Sequence, residues 1–236
     1  MPETPVAPGD DAASLLRRWL GRQLSTTQAE WLDSHRAAAA NGTLRDLQIA
    51  SGLVPRRLGQ ASIALDAADL AAAGQARPGW NPHDLTVDAA ARQLLVLDSV
   101  IEAGAALANL CASADVAEAV ALYRGLPLYP PSHRLDQQIG EGLRTSIQPI
   151  FEAIAHRSPL PRERFDEARW NHMILKALFI GAALDPIQGL DARCNPDLAT
   201  MLIDYARERR AAGRSVSPDL WRCVAPFAAQ ERNPAS

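Results

Sequence analysis

The chain lacks most of the features that announce a chemistry. Its three cysteines, Cys111, Cys194 and Cys223, are an odd number, widely spaced and without a CxxC pair. That pattern argues against a disulfide scaffold or a zinc ribbon, and reduced thiols fit a cytoplasmic protein. The five histidines, His35, His83, His133, His156 and His172, show neither HxxxH nor HExxH spacing, so no metal site is expected and no cofactor is implied. There is no GxSxG elbow and no glycine loop for phosphates; Gly140 and Gly142 fall inside a helical pattern, where they permit close packing. Aromatic residues make up 5% of the chain and are unclustered, which argues against a base-stacking surface. A basic excess is missing too: 24 Lys and Arg stand against 27 Asp and Glu, for a net charge of −3, so no nucleic-acid partner is expected. No apolar run reaches the roughly 18 residues of a spanning helix. The longest, near Met173–Ala183, is interrupted by Lys176. The opening MPETPVAPGDD has neither the basic start nor the apolar stretch of a secretory signal.

What remains is helical punctuation. With 236 residues and 47% hydrophobic content, the chain can bury one large core. The expectation is a single all-helical domain over residues 1–236, with 1–10 and 231–236 frayed. Asp10 or Asp11 opens a segment ending near Gly21, and Ser25–Thr27 cap a helix stopping at Asn41–Gly42, with His35 on its inner stripe. Thr43 caps a helix through about Ser51, and Pro55 ends any continuation. Asp66–Ala73 is a short helix. Thr86 caps the next, in which Asp88 and Arg92 form an i,i+4 pair and Leu94, Leu95, Leu97 and Ile101 supply core. Ser113 begins a helix through Tyr123. From Ser132, the stripe Leu135, Ile139, Leu143, Ile147, Ile150 and Ile154 predicts one long helix kinked at Pro149 and ended by Pro159 and Pro161. Phe165–Gly181 is the most apolar helix and reads as central. Asn195–Pro196 starts a helix that Gly213 stops, and Ser217–Pro218 starts a last one through about Ala229. Only Ser62–Leu65 hints at a strand. The fold class is therefore all-α: nine to eleven helices in antiparallel pairs, a HEAT-like or other solenoid being one array that such pairs form.

Among candidate sites, the helix containing DEARWNHMILKALFIG stands first. Arg169, His172 and Lys176 share one face at i,i+3 and i,i+4 spacing. Lys176 is the sole lysine of the chain, flanked by Met173, Ile174, Leu175, Ala177, Leu178, Phe179 and Ile180. A desolvated ammonium there becomes a base or imine former, or holds an anion; the plainer alternative is a lysine that snorkels its head past the helix edge. In VPRRLG, the Arg56 and Arg57 forks are placed to grip a carboxylate or phosphate, or to cap helix carbonyls. In GLDARCNPDL, Asp191 and Arg193 precede a helix N-terminus, where Asp197 makes capping the better account than anion binding.

At RPGWNP (Arg77–Pro82), VPRRLG (Val54–Gly59), WNHMILKALFIG (Trp170–Gly181) and GLDARCNPDLATMLIDYARERRAAGRSVSPDLW (Gly189–Trp221), the chain resembles the EboA family of metabolite-traffic proteins, over roughly Gln48 to Phe227. The resemblance implies an accessory protein of a bacterial secondary-metabolite operon. Such a protein handles a small-molecule or prenylated precursor on its way from cytoplasm to periplasm, with a UbiA-type membrane prenyltransferase as an operon partner. It implies a cytoplasmic location, peripheral to the inner membrane through that partner. Asn171 and Lys176 fit the family pattern, whereas His172 stands where relatives carry glutamine. The resemblance brings no catalytic residues. Three readings follow: a binding protein using Arg56, Arg57, Arg169, Asn171, His172 and Lys176; an enzyme using Lys176; or a helical scaffold that docks operon partners.

Overall fold

A computed structural model describes residues 11–227. Fraying at residues 1–10 and 231–236, a cap at Asp10 and the run of the last helix beyond Phe227 lie outside the described residues. Among these there are fourteen α-helices and no strand. The Ser62–Leu65 hint survives as one isolated antiparallel bridge between Ser62 and Thr86. The chain divides into two compact units, one ending at Arg144 and one beginning at Thr145.

The first unit holds α1 (Ala12–Gly21), α2 (Thr26–Ala39), α3 (Leu44–Leu58), α4 (Ala67–Ala76), α5 (Val87–Asp98), α6 (Ala103–Cys111), α7 (Val116–Arg124) and α8 (His133–Arg144). Local chemistry sets most of the starts. Ser25–Gln28, Thr43–Asp46 and Asp66–Asp69 are capping boxes, in which each cap accepts from the third helical N–H and is answered by that residue's side chain. Asp11 and Thr86 cap α1 and α5. Two expectations need correction. α3 runs to Leu58 with Pro55 inside it, because a proline forfeits a single i→i−4 bond and the flanking Val54 and Leu58 remain buried. The helix expected from Ser113 starts instead after the Asp115 cap.

α5 is the hub of this unit. Every residue from Val87 to Val96 is buried, and the helix packs against α1, α2, α3, α6 and α7. In a solenoid each repeat touches only its neighbours, and the solenoid expectation finds no support in this hub. Leu94 and Leu95 enter the core as expected, while Leu97 and Ile101 are half-buried, α5 ending at Asp98. α6 and α8 lie so close that a Cβ on Gly104 would sit 2.3 Å from the Leu135 backbone nitrogen, so only glycine fits there.

The second unit holds α9 (Gln148–Ala155), α10 (Leu160–Arg164), α11 (Glu167–Ile180), α12 (Leu190–Arg193), α13 (Pro196–Ala211) and α14 (Leu220–Val224). The long helix expected from Ser132 is thus two helices, α8 and α9, separated at 145–147. Pro149 has no N–H for the Thr145 carbonyl and its ring would crowd that carbonyl, so the chain leaves the helix with Ile147 extended and restarts with proline in the first turn. Pro161 likewise sits in the first turn of α10, beginning a short helix as well as closing the preceding stretch. α11 packs against α9 and α13, and ends on Gly181 at φ +80°, a left-handed cap that a side chain would strain. Asn195 caps α13 through the Leu198 N–H at 2.8 Å, as its Asn-Pro signature predicts.

Candidate functional site

α11 carries four of the six residues singled out from sequence, and the helix turns them in two directions. Trp170, Asn171, Met173, Ile174, Ala177 and Leu178 face inward. Asn171 is 3% exposed and its amide is committed to Asn195: Asn171 Nδ2 donates to Oδ1 at 3.1 Å, and Asn195 Nδ2 donates back at 2.9 Å. Since Asn195 Oδ1 also caps α13, the pair fixes α11 against the α13 start.

The opposite side is wetter. His172 is exposed, Lys176 is half-buried, and Phe179 beyond them is 68% exposed. Neither His172 nor Lys176 forms an ion pair or side-chain hydrogen bond among the described residues. Partial burial lowers the Lys176 pKa from the usual lysine value, yet the side chain is not fully enclosed. Arg169, one turn earlier, lies with its guanidinium 4.2 Å from the Phe165 ring centre. The resulting strip holds two cationic groups, a titratable imidazole and an open aromatic ring.

Arg56 and Arg57 belong to the other unit. They lie exposed in the last turn of α3, before Gly59 at φ +84°. There they favour the helix's negative end, and neither guanidinium is paired within the described chain. Of the third candidate segment, Arg193 has a structural task. It donates to the carbonyls of Pro161 (3.0 Å), Arg162 (3.2 Å) and Phe165 (2.8 Å) while lying 4.5 Å from the Trp170 ring centre, which closes the end of α10.

The most strongly charged buried cluster was visible in sequence only as a helix-stabilising pair. Arg92 is 4% exposed; its Nη1 meets Asp88 Oδ2 at 2.7 Å, and its Nε lies 3.4 Å from Glu118 Oε1 without hydrogen-bond geometry. Thr86 Oγ1 donates to Asp88 Oδ1 (2.6 Å) and Ser51 Oγ to Glu118 Oε1 (3.1 Å), so α3, α5 and α7 meet at one guanidinium. The signal for its burial lies in VDAAARQLLVLD, where the two charges are embedded in a nearly unbroken apolar run. A second inward carboxylate, Asp69, accepts from Trp19 Nε1 at 2.8 Å and Arg22 Nη2 at 2.6 Å. Burial works to raise its pKa, but the Arg22, Asp66 N–H and Trp19 hydrogen bonds outweigh it and hold the carboxyl below the usual range. Among the described residues no group of three or more His, Cys, Asp or Glu side chains could hold a metal ion, and no helix is long and apolar enough to cross a membrane.

The elements and clusters above define an all-α protein of two helical units whose inward charges are paired and whose α11 cations face out. The family model described as "Metabolite traffic protein EboA" matches residues 12–225, and the chain belongs to that family. No curated protein and no solved structure matches the chain.

Proposed function

We propose that this chain handles a small metabolite of a secondary-metabolite operon by binding it, with the outward strip of α11 as a contact surface. The observation that carries this reading is an open ammonium beside an open ring: Lys176, with the His172 imidazole next to it and neither partnered among the described residues, beside Phe179 at 68% exposure. A half-buried lysine retains its proton more readily than a fully buried one, which favours holding an anion over acting as a base or imine former. Phe179 adds an apolar contact, so an anionic group on an apolar skeleton, such as a prenylated precursor, suits the strip. The family's traffic role supports the same reading.

The test is calorimetric titration of the purified chain with small-molecule extracts from cells carrying and lacking the operon. Binding heat is expected only with the former, and the bound compound is recovered unchanged. Lys176→Gln should weaken affinity roughly tenfold, about 1.4 kcal/mol, while Lys176→Arg keeps most of it because charge, not deprotonation, is what the site uses. Silent titrations at high protein concentration overturn the proposal, and conversion of the compound that stops in Lys176→Arg moves it to the enzyme reading. Phe179 also favours a second reading, in which the strip docks an operon partner such as a UbiA-type membrane prenyltransferase. Recovery of the chain with that enzyme, lost in Phe179→Ser, would support it.

A further inference from the structure

Cys194 and Cys223 are far apart in sequence, yet the second unit packs the helix that carries Cys223 against the junction that holds Cys194. Cys194 lies between α12 and α13, half-buried, and its thiol also donates to the Leu190 carbonyl at 3.3 Å. Cys223 lies on α14, which packs on both α12 and α13, and it is fully buried. The same α12–α14 contact is fastened by Arg222, whose Nε and Nη2 grip Asp191 at 2.5 and 2.6 Å while Nη1 reaches Asp185 at 3.1 Å. The ion pairs hold the helix that carries Cys223 against the segment that leads into Cys194, with no covalent bond between them. One is reachable from solvent and the other is shielded, the arrangement of an attacking thiol and a resolving thiol.

We propose that Cys194 and Cys223 form a reversible oxidation site, taken to an intrachain disulfide by a peroxide. The sulfur of Cys194 attacks one peroxide oxygen; the O–O bond breaks, and the departing hydroxide takes the proton Cys194 gave up, forming water. The Cys194 sulfenic acid is then attacked by the Cys223 sulfur. An S–S bond forms, and the hydroxyl leaves with the Cys223 proton as a second water. Two thiols are oxidised by two electrons and one hydrogen peroxide is reduced to two waters. The environments fit the order of events. Hydrogen bonding from Cys223 lowers the Cys194 pKa, opposed by burial and Asp191 and aided by Arg222, whereas the Cys223 thiol is pushed up by its neighbour and by burial. Cys111, in the first unit, is pushed up to about 11 by burial and is left out of the reaction. The disulfide would tie α14 to the α12–α13 junction covalently.

Full-length protein is treated with equimolar hydrogen peroxide, free thiols are alkylated without reduction, and the peptides are mapped by mass spectrometry. The expected product is a linked pair joining the Cys194 and Cys223 peptides, lighter by two hydrogens than their reduced sum, with Cys111 recovered alkylated. The melting temperature should rise by roughly 5–10 °C, as closing a loop of about 30 residues implies, and return on adding dithiothreitol. Cys223→Ser should abolish both the link and the rise while leaving Cys194 open to a sulfenic-acid trap. The proposal fails if Cys194 and Cys223 are both alkylated after peroxide, if Cys194 goes to the sulfinic acid unlinked, or if the link joins Cys111 or a second chain. It also fails if oxidised Cys223→Ser shows the same rise in melting temperature. Should that variant not fold, the wild-type peptide map and melt decide alone.

Discussion

α5 and α11 invert each other. In sequence, α11 is the most apolar stretch and its lone lysine reads as either desolvated or snorkelling, while Asp88 and Arg92 of α5 read only as an i,i+4 pair. In the structure Arg92 is 4% exposed among five packed helices, whereas Lys176 keeps contact with water on a helix packed against α9 and α13. Hydropathy sets how much of a helix can be buried. The number of neighbours sets how much is buried, and on how many sides. A helix enclosed all round must pair whatever charge it carries; a helix covered on one side can leave its cations free. The paired charges of α5 therefore belong to the architecture, and Lys176 of α11, without an ion pair among the described residues, is available for an outside partner.

Arg92→Ala gives the severest test of this contrast. It strands Asp88 and Glu118 beside an apolar gap, and breaking one side of a buried pair costs about 3–5 kcal/mol. Urea denaturation should show an unfolding free energy lowered by that much, or no cooperative fold at all. The triple variant Asp88→Asn, Arg92→Met, Glu118→Gln should recover much of the loss, because it removes the uncompensated charges together. A cost below about 1 kcal/mol for Arg92→Ala would erase the distinction between the helices.

Asp69 is an intermediate case, a buried carboxylate whose cationic partner Arg22 is 44% exposed. Its folded pKa is lowered, so its stabilisation is present above the unfolded carboxylate value near ~3.9 and is lost as pH falls through the lower folded value. Asp69→Asn should cost about 1.5–3 kcal/mol at pH 7 through weakened charge-assisted hydrogen bonds. Stability measured by denaturant titration from pH 7 down to 2 should converge for the two proteins in the acid range. A gap that stays constant across that span would show that packing around Trp19, not charge, holds the site.

How much of this was legible depends on whether the cause was local. Thr43, Thr86, Ser132 and Asn195 could be read as helix starts because a cap acts within one turn, and each side chain is where that chemistry puts it. The all-α class and the family resemblance were equally accessible. The break between α8 and α9 was partly legible: Pro149 marks the place, but the stripe from Leu135 to Ile154 keeps helical period across it and conceals the restart. Short helices such as α10 and α12 have too few residues for periodicity to register. Non-local facts were out of reach. Nothing in the spacing of Ser51, Arg92 and Glu118, or of Cys194 and Cys223, says that three helices, or a helix and a turn, will bring them together. The face that Lys176 occupies was half-legible, since i,i+3 and i,i+4 spacing grouped it with Arg169 and His172 and left open which side the core would take.

The smallest expected effect closes the comparison from the other end. Lys176→Ala removes the only lysine from a helix that reads as apolar, and a trapped ammonium replaced by a methyl group would shift stability by several kcal/mol in one direction or the other. A half-exposed side chain with no intrachain partner has little to lose. Denaturant titration should therefore place Lys176→Ala within about 0.5 kcal/mol of the unmodified chain, with no dependence on ionic strength, because no ion pair is being screened. A change of more than about 1.5 kcal/mol would mean that Lys176 is held by the fold rather than free for a ligand. In that event the cationic strip on α11 would be architecture like the Arg92 cluster, and any loss of binding in Lys176 variants would have to be read through folding first.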